Sequence, residues 1–502
     1  MTNRSMIIIG GGLAGLATGC YGQMNGYRTR IFEHNTQPGG VAAWWKRKGY
    51  LIDGGIHFLM GHRPGQSLYK LYRELDLHKV HTIDMKTYGF IVDEANNRTL
   101  EVTPDLDQLE TDLKSISPED SRAIEFLIQG TRALQGFDMG DMDLMKPPEL
   151  RGRFATLRLL GRLGRASKYF IGKGGKSVTE FIDSAPIHDP WIRKFFLNLF
   201  LPEVPVWFVM SLLALLANRQ LGILRDGCQD FVNHLVQRYR NLGGEITYKA
   251  TVEKILIDNN TAVGVQLANG EKHHADLIVS AADGYRTIFK MLDGNYISKQ
   301  LKEMYDKWDL IKPIVLISFG VNREFKEEPS MKLFWLKTPI KVGNETIPGF
   351  GIRFFNYGDK FAPEGKAVLQ VLLESEWDWW YELQGDSSRY EAEKERLANE
   401  VLKRLEPHYP GIVQLIEMSD VATPYTFWRY TLNHRGAYMG WLPTSKALQT
   451  TLKRSLPGLS NFYMAGQWIV PGGSVSGCLY SGRHVVQIIC QQDKRSFQVV
   501  ED

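Results

Sequence analysis

The chain has 502 residues, with 60 Lys and Arg against 56 Asp and Glu and a net charge of +4. Hydrophobic residues make up 43% and charged residues 23%, which excludes a disordered or collagen-like chain and an acidic solvating tail. A charge of +4 does not by itself argue for nucleic acid, and the length suggests two or three domains at about 100–200 residues each.

Met6–Ile9 is a short β-branched run bounded by glycine, the pattern of a buried parallel strand. Gly10-Gly11-Gly12-Leu13-Ala14-Gly15 follows, then a small-residue helix to about Asn25 and a second strand, Thr29–Glu33. Gly10, Gly12 and Gly15 fit G-x-G-x-x-G: a tight turn, close backbone approach to a pyrophosphate, and close helix–strand packing. The helix N-terminus then presents N–H groups and the positive end of its dipole to phosphates. The motif expects an acid about 20 residues further on to accept ribose hydroxyls, and Glu33 stands there. Strand, glycine turn, helix and acid together predict a site for an adenine dinucleotide. A secretory leader is not expected at Met6–Cys20, because glycines interrupt the apolar run.

Pro38-Gly39-Gly40 and, within Tyr50–Phe58, a strand ending in Asp53-Gly54-Gly55 suggest a second place of close backbone approach, as for a ligand extending past the pyrophosphate. From about 77 to 221 the pattern is of mixed helical segments. Phe195–Ala217 is the most apolar stretch, but Pro202 and Pro205 leave only about a dozen clean residues where a membrane span needs about 20. α/β signals return at 222–290: a helix through Phe231, Leu235 and Tyr239, strands at 245–248 and 251–255, a hairpin over 261–267 with its turn at Asn269-Gly270, and a buried strand at 275–280. An aromatic-rich stretch runs from about 291 to 454. A strand at 461–466 and a helix from about 476 to 491 close the pattern. The four cysteines, Cys20, Cys228, Cys478 and Cys490, form no CxxC pair or metal spacing and are expected to be small buried hydrophobes. No metal site is expected.

These residues resemble the phytoene desaturase, carotenoid isomerase and retinol saturase branch of the FAD-dependent amine-oxidase-like proteins. The resemblance is carried by the Gly10/Gly12/Gly15/Glu33/Gly39/Gly40 block; by Gly243-Gly244, Val252, Gly264-Val265 and Ser280-Ala281-Ala282-Asp283; and by Thr423-Pro424, Tyr430, Gly436, Ala465-Gly466-Gln467-Trp468 and Pro471-Gly472-Gly473. Two departures are Val41, where the family often has a basic residue, and Gln467, where many flavoproteins have Asp. The resemblance implies an α/β fold: a Rossmann-like FAD-binding domain (GR2-type) assembled from three sequence blocks, 1–76, 222–290 and 455–495, with an inserted α+β substrate domain from 77–221 and 291–454. It implies FAD, held by Gly10, Gly11, Gly12, Gly15, Glu33, His34, Gly39, Gly40, Gly55, Ile56, His57, Val252, Ala281, Gly466, Gln467, Gly473, Ser474 and Val475. The isoalloxazine ring is expected between Gly54–His57 and Gly472–Ser474.

The implied activity is FAD-dependent desaturation or saturation of carbon–carbon bonds in a long apolar polyene such as a carotenoid. The alternatives are a redox-neutral cis–trans isomerase using reduced FAD, and a non-catalytic lipid carrier on the same fold. His57 is the candidate for proton transfer, its ordinary pKa of about 6.5 suiting that task; the alternative is a packed or cofactor-contacting histidine. Trp428, Arg429 and Tyr430 are candidate substrate contacts, or else part of an ordinary strand. Arg151–Lys176 carries eight Lys and Arg and no Asp or Glu. Arg158, Arg162 and Arg165 share one helix face, with Phe154, Leu157 and Leu160 beside it. A basic amphipathic helix there, with Val206–Ala217 lining a lipid entrance, predicts peripheral membrane contact over 151–217, on the cytoplasmic side and with no transmembrane helix. No nucleic-acid partner is expected, and the oligomeric state is left open.

Overall fold

Three separated stretches of chain build one parallel sheet. In the computed structural model, which describes residues 4–138, 144–152, 154 and 161–500 (the Arg165 side chain excepted), its strand order is Glu245–Thr247, Arg28–Phe32, Ser5–Ile9, Leu277–Ser280, Phe462–Met464. Every pairing is parallel. Ser5–Ile9 lies at the centre with Met6 to Ile9 buried. Helices cover such a sheet on both faces, so a central strand needs an unbroken apolar run rather than alternation.

The first helix, Leu13–Met24, is buried almost throughout. Its small residues admit close neighbours: a Cβ on Gly19 would fall 2.5 Å from the Tyr239 ring, and the main chain at Thr18 would lie 2.6 Å from a Cβ on Gly482. The helix is therefore held between Gly227–Asn241 and the C-terminal helix Val475–Gln492. Tyr21 donates to Glu74 (2.8 Å), which also takes the Arg483 guanidinium (2.8 Å), so helices from the first and last stretches meet on one buried carboxylate.

A second sheet has seven strands in the order Ile416–Ala422, Ile314–Val321, Ala367–Glu374, Glu345–Phe354, Met331–Val342, Gly89–Asp93, Arg98–Val102. The pairing of Lys332–Trp335 with Phe90–Asp93 is parallel and joins 77–221 to 291–454 in one sheet. The 77–221 stretch, expected to be helical, thus also supplies strands, Thr82–Asp84, Gly89–Asp93 and Arg98–Val102 among them. They are only three to five residues long, too short for periodicity to reveal; Gly89–Asp93 and Arg98–Val102 form a hairpin with each other, while Thr82–Asp84 pairs with the distant Leu221–Leu224. The strand expected to end in Asp53-Gly54-Gly55 runs over Tyr50–Asp53, and Gly54 N–H to Ala43 O (2.8 Å) continues its antiparallel register with Trp44–Arg47 by one more pair. The hairpin over 261–267 forms, with Val252–Asp258, Thr261–Leu267 and Lys272–His274 side by side.

Val206–Ala217 is a helix as expected, but it is packed in a helical core with Ile124, Leu127 and Phe195 rather than lining an opening; Trp207 and Phe208 are its partly exposed exceptions. Of the basic segment, Arg153, Leu157, Arg158 and Leu160 fall outside the described residues. Cys20, Cys228 and Cys490 are buried, whereas Cys478 is only half-buried. Among the described residues no helix is long and apolar enough to cross a membrane, and no cluster of three or more His, Cys, Asp or Glu could hold a metal ion.

Candidate functional site

The carboxyl ends of the parallel strands open onto a cleft with about 910 Å³ of empty space. This is the edge at which open α/β sheets bind ligands. Gly10, Gly12, Glu33, His34, Gly39, Gly40, Val252, Ala281, Gly466, Gln467 and Tyr430 all line it, so the three sequence blocks predicted to share a site do converge.

The glycines divide into two kinds. A Cβ on Gly15 would fall 1.9 Å from Gly10 O, so that glycine is required by the protein's own packing. A Cβ on Gly12 would meet nothing nearer than Gly40 at 3.8 Å. At that distance the contact is ordinary, so the protein's own packing does not require glycine at position 12, and Gly12 leaves its side of the cleft free of a side chain, as a phosphate-binding turn requires. Gly10, at φ +98°, adopts a backbone that side-chain-bearing residues avoid.

Glu33 ends its strand buried. Its two oxygens accept from Gly11 N–H (2.5 Å) and Asn35 N–H (2.7 Å). The acid expected to accept ribose hydroxyls thus also locks the glycine turn. Each carboxylate oxygen retains acceptor capacity toward the cleft, and burial raises the Glu33 pKa against the pull of those two N–H groups. His34 Nδ1 lies 2.7 Å from Thr251 Oγ1 and its Nε2 3.3 Å from Arg429 O. It joins the second strand to the segment that carries Tyr430.

That segment, Pro424–Thr431, is a helix and not a strand. Proline opens it, and Thr423 and Thr426 form a reciprocal capping box. Tyr430 lines the cleft, while Trp428 packs on Trp377 and Tyr425, and Arg429 donates to the Tyr430 hydroxyl (2.8 Å). The three candidate substrate contacts therefore do not share one surface.

Gly55, Ile56, His57, Gly473, Ser474 and Val475 lie outside the lining of this cleft. Both stretches adjoin it. Val41, which lines the cleft, has its carbonyl 2.6 Å from where a Gly55 Cβ would stand. Cys478, also lining, belongs to the helix that Ser474 caps by accepting from Gly477 N–H (2.9 Å). The turn after Asp53 is clamped from both sides. Asp53 accepts from Cys228 N–H (2.9 Å), Ile56 N–H donates to Cys228 Sγ (3.1 Å), and Gln370 donates to Asp53 O (2.8 Å). The buried Arg353 guanidinium donates to Ile56 O (3.3 Å) and to Gln370 Oε1 (3.2 Å). Burial, then the Arg353 charge, lowers the His57 pKa to about 3, so His57 is a neutral imidazole at ordinary pH.

Two groups in the cleft escaped the sequence reading. Asp283 is buried and accepts from Arg286 N–H (2.6 Å) and His434 N–H (2.8 Å); burial brings its pKa to about 7. Arg286 also lines the cleft, and its Nε is buried without a partner among the described residues. Asp283 closes the Ser280-Ala281-Ala282-Asp283 block of the resemblance but has no role assigned there, and Arg286 lies at no motif position.

Comparison with known proteins accords with this geometry. The chain is 25% identical to the chloroplastic prolycopene isomerase of Arabidopsis thaliana, over 95% of this chain and 81% of the relative. It is 23% identical to a lycopene-forming phytoene desaturase of Pseudescherichia vulneris, over 97% of this chain and 99% of the relative. An oxidoreductase from Methanosarcina mazei shares the fold with a TM-score of 0.62 at 17% identity, covering 96% of this chain and 100% of that one. Wild-type putrescine oxidase bound to putrescine shares it with a TM-score of 0.60 at 13% identity, covering 97% and 99%. The model of the flavin containing amine oxidoreductases matches residues 13–490, nearly the whole chain, which therefore belongs to that family.

Proposed function

We propose that this flavin enzyme uses FAD to act on carbon–carbon double bonds of a long apolar polyene, by desaturation or saturation. The observation that carries the reading is a cleft at the carboxyl ends of the parallel strands that three sequence blocks build together, lined by a Gly12 that the protein's own packing does not require. The related prolycopene isomerase, phytoene desaturase and retinol reductase, at 23–25% identity, supply the substrate class. On this reading 1–76, 222–290 and 455–495 hold the cofactor and 77–221 with 291–454 the substrate.

The residues present fit FAD. Gly12, with the N-terminus of Leu13–Met24, would face its pyrophosphate, and Glu33 its ribose. Val252 and Ala281 would flank the adenosine end. The Asp53–His57 and Gly472–Val475 turns would approach the ring system. When bound, FAD supplies hydride transfer and electron storage. The protein orients the ring through the clamped 53–57 turn and keeps a neutral His57 beside it. A histidine at about 3 is a poor proton acceptor at neutral pH; its role here is to pack and orient rather than to carry a proton.

That last point favours a second reading, redox-neutral cis–trans isomerisation, which removes no net proton. The prolycopene isomerases among the relatives point the same way. We further propose peripheral membrane contact through the 151–217 stretch, where Phe154 (68% exposed) and Ile171 (61%) stand out near Lys168, Lys173 and Lys176. Exposed aromatic and aliphatic side chains flanked by lysines suit an anionic lipid surface.

The test is to purify the protein, record its visible spectrum and incubate it with carotenoid precursors under oxidising and under anaerobic reducing conditions. Loss or gain of hydrogen pairs by mass spectrometry identifies desaturation or saturation. An altered chromatographic isomer of unchanged mass, formed only with reduced flavin, identifies isomerisation. A colourless protein that takes up no flavin refutes the proposal.

A further inference from the structure

We propose that Arg286, in the lining of the same cleft as the glycine turn, supplies the cationic contact for the dinucleotide's phosphates. The inference rests on the reading that this cleft takes FAD, whose pyrophosphate brings two negative charges. Among the described residues lining the cleft, Arg286 is the one Lys or Arg. The turn itself offers less than its motif suggests. Gly10 N–H is committed to Phe32 O (2.8 Å) and Gly11 N–H to Glu33 (2.5 Å). Gly39 N–H donates to Gly11 O (2.9 Å). Gly40 and Val41, the next residues of that loop to line the cleft, carry no charge.

Two carboxylates also face the cleft, Glu33 and Asp283. An anionic ligand entering beside them needs a compensating cation. The Arg286 Nε is buried and lacks a partner among the described residues. Such a donor is normally satisfied, and a phosphate oxygen is the acceptor that a guanidinium fits with charge and geometry together. The backbone of Arg286 is fixed in place, since its N–H donates to Asp283 (2.6 Å). Asp283 in turn is held by His434 N–H (2.8 Å).

The test is FAD binding to the apoprotein, followed by flavin fluorescence at low and high KCl, for the wild type, Arg286→Met and Arg286→Lys. Melting of each apoprotein is measured alongside. The expected result is an apo melting temperature like that of the wild type in both variants, an FAD Kd about tenfold or more weaker in Arg286→Met, and partial rescue by Lys. The salt dependence of binding should be shallower in Arg286→Met than in the wild type, because one phosphate contact is gone. An unchanged Kd in Arg286→Met overturns the inference while the FAD reading stands. So does a weaker Kd with unchanged salt dependence and no rescue by Lys. A wild type that binds no FAD overturns the reading and the inference with it.

Discussion

Gly12 and Gly15 sit three residues apart in one motif, yet the structure asks different things of them. Alanine at Gly15 forces a Cβ against Gly10 O at 1.9 Å, so Gly15→Ala should destabilise the apoprotein by about 1–3 kcal/mol, the usual cost of overpacking, or more because the obstacle is backbone. Gly12→Ala brings its Cβ only into ordinary contact with Gly40 at 3.8 Å; it should leave the apo melting temperature within a degree or two and weaken flavin binding instead. Melting curves and flavin titrations of the two variants separate these outcomes. Histidine gives a second prediction. His57, at about 3, and His434, at about 4, resist a proton that the unfolded chain accepts near pH 6.5. Their contribution to stability is therefore complete above pH 6.5 and is lost as the pH falls toward 4 and 3. The slope is at most about 1.4 kcal/mol per pH unit per histidine. Urea denaturation at pH 7 and pH 5 should show a smaller loss in His57→Gln than in the wild type.

Between elements, a few buried polar groups do the joining. Glu74 is fully buried and holds Tyr21 and Arg483, while Arg483 also donates to Met145 O (2.6 Å). Arg483→Met leaves the carboxylate buried without its cation, and should cost about 3–5 kcal/mol in chemical denaturation. The Arg353–Gln370–Asp53 contacts tie the seven-stranded sheet to the turn after Asp53 in the same manner. None of these partners was legible in the sequence, because the pairs lie from 17 (Arg353–Gln370) to 409 (Glu74–Arg483) positions apart, outside any local pattern. What was legible is local. The strand, glycine turn, helix and acid of the first block lie within one short stretch, and each step has a steric or electrostatic reason that periodicity and glycine spacing expose. The strand Gly89–Asp93 forms a local hairpin with Arg98–Val102 whose few residues give little periodicity, and only its second partner, Lys332–Trp335, lies beyond any local window. Arg286 was missed because a lone arginine in a helical turn looks like any solvated one until the cleft around it is known.

At the scale of the molecule, the two sheets divide the labour proposed above, and the exposed Phe154 and Ile171 lie in the stretch between the first two blocks of the parallel sheet. Ile171→Glu combined with Phe154→Glu should lower co-sedimentation with anionic vesicles about tenfold or more, since each change removes buried apolar area and adds like charge. Unchanged sedimentation would refute the membrane contact. The parallel sheet has a consequence for how the protein is made. Ile7 pairs with Ile278, made 271 residues later, and Ile278 pairs with Phe462, made later still. At ribosomal speeds of about 5–20 residues per second, the central strand waits roughly 15–50 s for one neighbour, and that neighbour waits again for the last. Throughout that interval the nascent chain carries an apolar strand with an unclosed edge, the geometry most prone to pairing with another chain. Yield in a heterologous host should therefore depend on chaperone supply and translation rate more than on the stability of the finished protein.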